Sequence, residues 1–325
     1  MIFEQLNSNS CKTYLIVNEK SAVLVDPLMA HFQDYLTLLK EQGFILTHVI
    51  DTHTHADHLS ASASLKDAAN CEYIMHKNAP SKCVTLRVED GDILTLNGIE
   101  FKFLYTPGHT NDSIGIIVDN KFLTGDLLFF EDSEADQEDI SRGSGEEHWE
   151  SLKKLKDLPD DMMIYPAHGG DDQKPAPLSQ HKEAKEHLQN RSKEDFVKYM
   201  DKLKLNSSEK LNRELNANEI EVDYIEPKAL EQRIQEEPQQ MVLIDVREVK
   251  ELIRDGQIEG VINIPIGSLE QQQNDLKEFE DKDLIVVCRS GARATTGGQI
   301  LKKAGYKNVY VLNGGMLAWE KLKLS

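Results

Sequence analysis

The feature that most constrains this chain is a run of seven residues, Thr52 to His58, that contains three histidines and an aspartate. An apolar segment that ends at Asp51 precedes the run and predicts a short buried strand. The small and apolar residues from Leu59 to Ala69 predict a helix. The run therefore lies on a strand-to-helix loop. Clustered imidazole and carboxylate groups of this kind are typical of a metal site.

Such a loop can face a metal from two sides. Side chains alternate along an extended segment, so His53 and His55 point the same way, while Asp57 and His58 fall where the chain turns into the helix. The alternative is that Asp57 serves only as a helix N-cap and that the histidines are polar surface residues. The density of ligand-type residues favours the metal site.

Later segments complete a pattern that resembles the metallo-β-lactamase superfamily. The signature H-x-H-x-D-H matches His53 to His58, and the remaining ligand-type positions follow in the order of that family. These positions are His109 in Thr106–Thr110, Asp126 after Leu123–Gly125, and His168 in Tyr165–Gly169. The resemblance covers roughly the first two hundred residues. It implies an α/β fold in which two sheets pack between layers of helices, an αββα sandwich.

The resemblance implies one of two metal centres. Mononuclear iron enzymes of the superfamily, the persulfide dioxygenases, use the positions that match His53, His109 and Asp126, which form a facial triad with open sites for dioxygen and substrate. The other ligand-type residues would then orient ligands and substrate. These residues are His55, Asp57, His58 and His168.

The alternative centre is that of the dinuclear zinc hydrolases such as glyoxalase II. There, one Zn²⁺ would be held by His53, His55 and His109, and the other by Asp57, His58 and His168, with Asp126 as the bridge. The ligand residues by themselves are therefore compatible with one Fe²⁺ or with two Zn²⁺ ions per chain.

At 325 residues the chain is long enough for two domains. The polar stretch 206–222 predicts a linker, so we expect a first domain over residues 1–205 and a second over residues 223–325. In the second domain strands alternate with helical segments, which predicts a parallel sheet covered by helices. The strands are expected at Met241–Asp245, Val261–Ile264, Leu284–Val287 and Asn308–Leu312.

Cys288 follows the apolar strand of the second domain and leads directly into a helix. Backbone amides at a helix N-terminus, together with Arg289 and Arg293, should lower the pKa of the thiol. The thiolate is the nucleophilic form. The alternative, a buried structural cysteine, accounts for neither arginine.

The segments around Cys288 resemble the rhodanese family of sulfurtransferases. They are Leu243–Arg247, the six-residue loop Cys288–Arg293 and the closing Asn313–Trp319. Related phosphatases on the same fold carry a loop one residue longer. The resemblance implies that Cys288 becomes a persulfide held by the loop amides, and that Arg293 orients an anionic donor such as thiosulfate. The loop residues between the two are Arg289, Ser290, Gly291 and Ala292.

Together the two resemblances imply an enzyme that oxidises a thiol persulfide, such as glutathione persulfide, with O₂ to sulfite and thiol, coupled to sulfur transfer between thiosulfate and thiol. Phe3–Ile16, Glu89–Asp92 and Tyr165–His168 look like the dioxygenases, and a fused sulfurtransferase suits persulfide chemistry. One alternative is a zinc thioesterase of the glyoxalase II type. Another is a rhodanese module that serves only as a sulfur carrier or docking domain.

One segment departs from the human-type persulfide dioxygenases. After the carboxylate ligand those enzymes continue with a Gly-Arg-Thr-Asp segment that helps to bind glutathione. This chain instead has an acidic stretch, Glu131–Asp139, followed by Ser141–Gly145. The acidic stretch is expected to be a solvated surface loop. Arg142 is the candidate substrate anchor in place of the missing segment.

The formal net charge of -19 argues against a nucleic-acid or anionic-membrane partner, and it means that acidic substrates need a local basic pocket. The sequence has no apolar run long enough for a membrane span and no apolar signal core, which predicts a cytoplasmic protein. Its four cysteines show no C-x-x-C pairing, which argues against a disulfide scaffold. The expected partners are small molecules, namely thiol persulfide, thiosulfate, sulfite and O₂, and a homo-oligomer is compatible with these features.

Overall fold

The computed structural model describes residues 1–7, 11–128, 143–169, 174–184, 192–198, 200–201, 218 and 220–324. The candidate anchor Arg142, the acidic stretch Glu131–Asp139 and most of the predicted linker lie outside the described residues. The domain boundary at 206–222 therefore stays a prediction.

The first part of the chain forms two six-stranded sheets whose strands follow one another in space nearly as they do in sequence. The first sheet contains β1 (Ile2–Gln5), β2 (Tyr14–Asn18), β3 (Ser21–Val25), β4 (Ile45–Ile50), β5 (Glu72–His76) and β6 (Leu86–Val88). The second contains β7 (Ile93–Leu96), β8 (Ile99–Tyr105), β9 (Ile114–Val118), β10 (Lys121–Gly125), β11 (Met163–Pro166) and β12 (Ala176–Pro177).

Successive side chains of each strand point to opposite faces of the sheet, and this alternation determines the layer into which each side chain packs. In β2, Tyr14 and Ile16 pack toward the second sheet, where they meet residues such as Phe103, while Leu15 and Val17 pack toward the helices. The helices on the first sheet are α1 (Phe32–Gln42) and α2 (Ser62–Ala69), and those on the second are α3 (Gly145–Lys154) and α4 (Leu178–Ala184). The predicted αββα sandwich is confirmed.

Helix α2 begins three residues later than the sequence predicts. The hydroxyl groups of Ser60 and Ser62 donate to the two oxygens of Asp51 at 2.7 and 2.6 Å, and the amide of Met29 donates to the carbonyl of Leu59. These tertiary hydrogen bonds hold Leu59 and Ser60 outside the helix, which overrides their helical preference. The metal loop is therefore longer than expected.

The second domain is a five-stranded parallel sheet in the order β13–β17–β16–β14–β15. Its strands are β13 (Asp223–Ile225), β14 (Met241–Asp245), β15 (Ile262–Asn263), β16 (Asp283–Val287) and β17 (Val309–Leu312). Its helices are α5 (Pro227–Glu236), α6 (Val249–Asp255), α7 (Ile266–Gln272), α8 (Ala292–Lys303) and α9 (Gly315–Lys323). Apolar side chains cover both faces of the sheet, as predicted, and β13 is an additional strand.

Helix α8 contains two adjacent glycines in its middle, Gly297 and Gly298. A Cβ at Gly297 would lie 3.2 Å from side-chain atoms of Leu269 and Val286, and one at Gly298 would lie 3.0 Å from Val222. The glycines therefore let α8 approach the sheet and α7 closely.

Helices α2 and α8 pack against each other across the two domains. One apolar cluster runs through both domains, from Leu65 of α2 to Ala294 and Leu301 of α8. Gln33 adds a polar contact, because its amide donates to the Glu248 carboxylate at 2.8 Å. Within the described part of the chain, no helix is long and apolar enough to span a membrane.

Candidate metal centre and cysteine loop

Asp26, at the end of β3, fixes the histidine-rich loop. Its backbone is in the left-handed region with φ of 51°, which aspartate tolerates better than most residues. Its carboxylate accepts from the amide and hydroxyl of Thr52 at 2.7 and 2.9 Å, and lies 3.1 Å from Nε2 of His55. The loop thus starts from a buried, hydrogen-bonded anchor.

His53, His109 and Asp126 converge from three different loops into one buried group. Nε2 of His53 and Nε2 of His109 lie 3.5 and 3.3 Å from Oδ2 of Asp126. One ligand atom from each residue lies within 4.8 Å of the others. The triad expected from the sequence is therefore assembled.

The chemical state of this triad fits a metal ion. Nε2 of His53 is buried and has no hydrogen-bond partner among the described residues. Burial lowers the pKa of His53 well below its usual range, so the ring is neutral. Burial opposes ionisation of Asp126, yet the charge of His168 holds its pKa well below the usual range. Neutral imidazole and ionised carboxylate are the forms that bind a metal.

His168 connects the triad to a second group of ligand-type residues. Its Nδ1 lies 2.8 Å from Asp126 and its Nε2 lies 2.9 Å from Asp57, which in turn lies 3.0 Å from Nδ1 of His58. Burial alone would lower the pKa of His168, but the charge of Asp126 and the two hydrogen bonds raise it well above its usual value. His168 is therefore a cation that donates to both carboxylates.

Cys11 belongs to this second group, although the sequence indicated no role for it. Its thiol donates to Asp57 at 2.9 Å, and the group formed by Cys11, Asp57, His58 and His168 has ligand atoms within 4.8 Å of one another. Burial raises the pKa of Cys11, but hydrogen bonds with His168 and His58 lower it overall. No motif surrounds Cys11, so only the pairing of the N-terminal segment with His168 could reveal it.

The two ring nitrogens of His55 have different surroundings, because Nδ1 is buried without a hydrogen-bond partner among the described residues while Nε2 has a carboxylate partner. Its Nε2 lies 3.1 Å from Asp26, and it forms a separate buried group with Asp26 and Asp51. The rings of His53 and His55 pack side by side with centroids 4.1 Å apart, yet their nitrogens face different partners. The two rings therefore stay adjacent, and His55 adds a second buried imidazole beside the triad.

Asn218 supports the loop from outside. Its amide nitrogen donates to the backbone carbonyls of His55 and His58, both at 2.7 Å, and its oxygen accepts from the amide of Ser60 at 3.1 Å. No sequence pattern indicated this contact, because Asn218 lies in the stretch predicted to be a linker.

Cys288 is fully buried in the loop between β16 and α8. Its sulfur accepts from the amides of Gly291 and Ala294 at 3.1 and 3.3 Å. Gly291 has φ of 102°, which favours glycine and lets the loop curl around the sulfur. The amide of Met316 in α9 donates to the Cys288 carbonyl at 2.8 Å. The predicted amide cradle is present.

Arg293 is completely buried and all its guanidinium nitrogens are hydrogen-bonded. Its Nε donates to Asp67 of α2 at 2.5 Å, and its two terminal nitrogens donate to Glu251 of α6 at 2.7 Å each. Arg289 is half-buried and donates to Asn70 at 3.0 Å. Both arginines of the loop therefore have partners in the first domain.

The pKa of Cys288 is raised, so the prediction of a lowered value is wrong for this arrangement. Burial is the largest cause and the negative charge of Asp67 is the next, and together they outweigh Arg293 and the loop amides. The sequence offered the cations near Cys288 but not the carboxylate that faces it from another domain.

Beside the cysteine loop lies a cavity of about 350 Å³ between the domains. Lys66 and Lys82 of the first domain line it together with the loop residues Ser290, Gly291 and Ala292. Lys82 also lies over the ring of Tyr224, 5.7 Å from its centroid. This cavity is the kind of local basic pocket that an acidic protein needs for an anionic ligand.

The comparisons with known proteins agree with the two folds. Residues 7–168 match the Metallo-beta-lactamase superfamily and residues 226–322 match the Rhodanese-like domain. The chain thus joins a metallo-β-lactamase domain to a C-terminal rhodanese-like domain.

A solved structure identifies the family more closely. The crystal structure of ETHE1 from Myxococcus xanthus is 31% identical in sequence and superposes with a TM-score of 0.58. The alignment covers 66% of this chain and 96% of the ETHE1 chain. The chain belongs to the ETHE1 family of metallo-β-lactamase proteins, with a rhodanese-like domain fused to it.

Curated relatives of two enzyme classes match the first domain. Persulfide dioxygenase ETHE1, mitochondrial, from Bos taurus is 28% identical over 225 residues, 67% of this chain and 87% of the relative. Hydroxyacylglutathione hydrolase from Rhodopseudomonas palustris (strain BisB18) is 38% identical over 137 residues, 41% of this chain. The chain spans only 52% of the length of that hydrolase.

Proposed function

We propose that the first domain is a persulfide dioxygenase with one Fe²⁺ per chain held by His53, His109 and Asp126. The observation that carries this proposal is the 31% identity to ETHE1 over 96% of that chain, and the buried triad of two imidazoles and one carboxylate supplies a single metal site. A dinuclear zinc site would also use His55, whose Nδ1 is buried and has no hydrogen-bond partner among the described residues, so the metal content decides between the two centres. Two imidazoles and one carboxylate form the facial triad typical of non-haem Fe(II) oxygenases.

The proposed reaction converts a thiol persulfide, dioxygen and water into a thiol and sulfurous acid: RSSH + O₂ + H₂O → RSH + H₂SO₃. The iron, when bound, would bring dioxygen and sulfur together and activate the oxygen. His168 holds Asp126 in place through its 2.8 Å hydrogen bond, and Asp57 holds His168 at 2.9 Å. Such outer hydrogen bonds fix the orientation of ligands.

Metal analysis combined with an oxygen electrode tests this proposal. The purified chain should contain one iron and should consume oxygen when glutathione persulfide is added, with one sulfite formed per O₂. Two zinc ions per chain, no oxygen uptake and brisk hydrolysis of S-lactoylglutathione would establish the hydrolase instead. The hydrolase relatives make this the necessary comparison.

We also propose that the second domain transfers sulfane sulfur through Cys288. The thiolate of Cys288 would attack the outer sulfur of thiosulfate, break its S–S bond and release sulfite, which leaves a cysteine persulfide. An acceptor thiolate would then take that sulfur and restore Cys288. The amides of Gly291 and Ala294, which already donate to Sγ, support this role. Lys66 and Lys82 suit an anionic acceptor such as glutathione.

A pair of variants tests the division between the domains. Cys288→Ser should lose transfer of sulfur from thiosulfate to glutathione, and thiosulfate plus glutathione should no longer support oxygen uptake, while preformed glutathione persulfide is still oxidised. His109→Ala should keep sulfur transfer and lose oxygen uptake. If Cys288→Ser retained sulfur transfer, the second domain would be a carrier or docking module without a catalytic cysteine.

A further inference from the structure

Asp67 of helix α2 inserts its carboxylate into the cysteine loop of the other domain. Oδ1 accepts from the backbone amide of Ser290 at 2.9 Å and also from the Ser290 hydroxyl, while Oδ2 accepts from Nε of Arg293 at 2.5 Å. The Asp67 side chain is fully buried. A residue of the first domain thus fills the loop that carries the nucleophile of the second.

The groups that hold Asp67 are those that an anionic sulfur donor would need. An oxyanion at a helix N-terminus binds to backbone amides, hydroxyl groups and guanidinium groups. Ser290 supplies the first two and Arg293 the third. Since the remaining nitrogens of Arg293 are engaged by Glu251 within the second domain, Nε is the guanidinium position that Asp67 alone occupies. Asp67 therefore stands where the sulfonate end of thiosulfate would bind.

The same contact closes the approach to the sulfur and sets its charge. Cys288 has no exposed surface while α2 packs against α8. The charged groups that face it are Asp67 from α2 and Arg293 from α8, and Glu251 from α6 partly neutralises the arginine. Because burial and Asp67 raise the pKa of the thiol, Cys288 is protonated in this arrangement.

We propose that Asp67 is an intramolecular plug of the cysteine loop, and that sulfur transfer requires α2 to move away from α8 so that an oxyanion donor can replace the Asp67 carboxylate. The proposal rests on sulfur transfer at Cys288. Once Asp67 is withdrawn, the Ser290 amide, the Ser290 hydroxyl and Arg293 Nε become three donors for the incoming anion. Asp67 is a positioning residue that controls access to the nucleophile.

The first test measures the reactivity of Cys288 in the full-length chain. Alkylation of Cys288 by iodoacetamide is followed by peptide mass spectrometry across pH, which separates it from the three other cysteines. In Asp67→Asn the rate of alkylation at pH 7.5 should rise at least about tenfold, and the midpoint of its pH profile should move to lower pH. A tenfold change in the fraction of thiolate corresponds to one pKa unit. The KM for thiosulfate should fall as well.

The control is Asp223→Asn, which makes the same chemical change at an exposed aspartate that pairs with Lys302 and does not touch the loop. Its alkylation profile should match that of the wild type. Unchanged or slower alkylation of Cys288 in Asp67→Asn would contradict the proposal that Asp67 blocks the loop. It would show instead that Asp67 stabilises the loop.

A second measurement leaves Asp67 intact. In Cys288→Ser, thiosulfate can bind but cannot transfer sulfur, and it should speed amide hydrogen exchange in Ser62–Ala69 at least about threefold relative to sodium chloride of equal ionic strength. Unchanged or slower exchange there would contradict displacement of Asp67. Neither readout needs turnover. A failure of the proposed role of Cys288 would therefore appear separately, as sulfur transfer that Cys288→Ser retains.

Discussion

The histidine-rich loop and the cysteine loop both connect a strand to a helix, yet the residues that complete the two sites come from different parts of the molecule. The first loop contributes His53 to the triad, and the other two members, His109 and Asp126, come from the same domain. The environment of Cys288 is completed by Asp67 from the other domain. The comparison teaches that a motif can specify the reactive group, while the contacts between domains decide whether that group is ready to react.

The largest effect is expected when the buried arginine of the cysteine loop is lost. Arg293→Leu leaves Glu251 and Asp67 without their cation, and the free energy of unfolding should fall by about 3 kcal/mol, the lower end for a broken buried pair because Asp67 can withdraw with its helix. Urea denaturation measures this loss. Lys302→Leu, which breaks the exposed pair with Asp223, should cost less than about 1 kcal/mol. Equal losses would show that the loop is not held by Arg293.

Loss of a triad ligand should come next and should spare the cysteine loop. His109→Ala is expected to weaken metal binding by more than about 100-fold, beyond the range for outer hydrogen-bond partners. The matched variant His55→Ala, whose side chain faces Asp26, should lose no more than about 10–100-fold. Metal content by mass spectrometry after dialysis checks both. Equal loss in the two variants would favour the dinuclear centre.

A smaller effect is expected when the support of the histidine-rich loop is removed. Asn218→Ala deletes two hydrogen bonds to the carbonyls of His55 and His58, so metal affinity should fall by about tenfold while alkylation of Cys288 stays unchanged. Asn18→Ala, which deletes a hydrogen bond to the carbonyl of Asn97 in a distant hairpin, is the control. A parallel change at Cys288 would mean that the two loops are coupled through Asn218.

The smallest effect is expected in the free energy of unfolding at acidic pH. The pKa of Asp67 is lowered in the folded chain, against the cost of burial, by Arg293 and by hydrogen bonds from Ser290 and Arg293. Its stabilising contribution is therefore present above its unfolded pKa of about 3.9 and is lost as the pH falls through the lower folded value. Between pH 5 and pH 3 the free energy of unfolding of the wild type should fall more steeply than that of Asp67→Asn. Urea titrations at each pH measure this free energy. If it fell equally steeply in the wild type and in Asp67→Asn, Asp67 would not contribute to the loss of stability in acid.

Motifs and alternation predicted most of the fold. The strands predicted at Met241–Asp245 and Leu284–Val287 appear where the sequence indicated, since each depends on neighbouring residues. The ligand triad was also predictable, because its spacing is that of a family.

The residues that sequence reasoning missed act over long distances without a motif. Asp67 lies in a helix that the sequence described only as small and apolar, and its partner Arg293 is 226 positions away. Cys11 meets Asp57 across 46 positions. The position of the His55 ring depends on its contact with Asp26, which is 29 positions away. Such contacts follow from the packing of sheets and domains, which local patterns do not encode.

The glycine pair in α8 affects the order in which the parts of this molecule unfold. Gly297 and Gly298 each weaken the helix by roughly 1 kcal/mol relative to alanine, and neither can be replaced without pressing on Val286 or Val222. The helix behind Cys288 therefore takes its stability from the sheet and not from its own sequence. Its amide hydrogens should therefore exchange only when the sheet itself opens, so that the helix behind the nucleophile is as well protected as the core on which it packs.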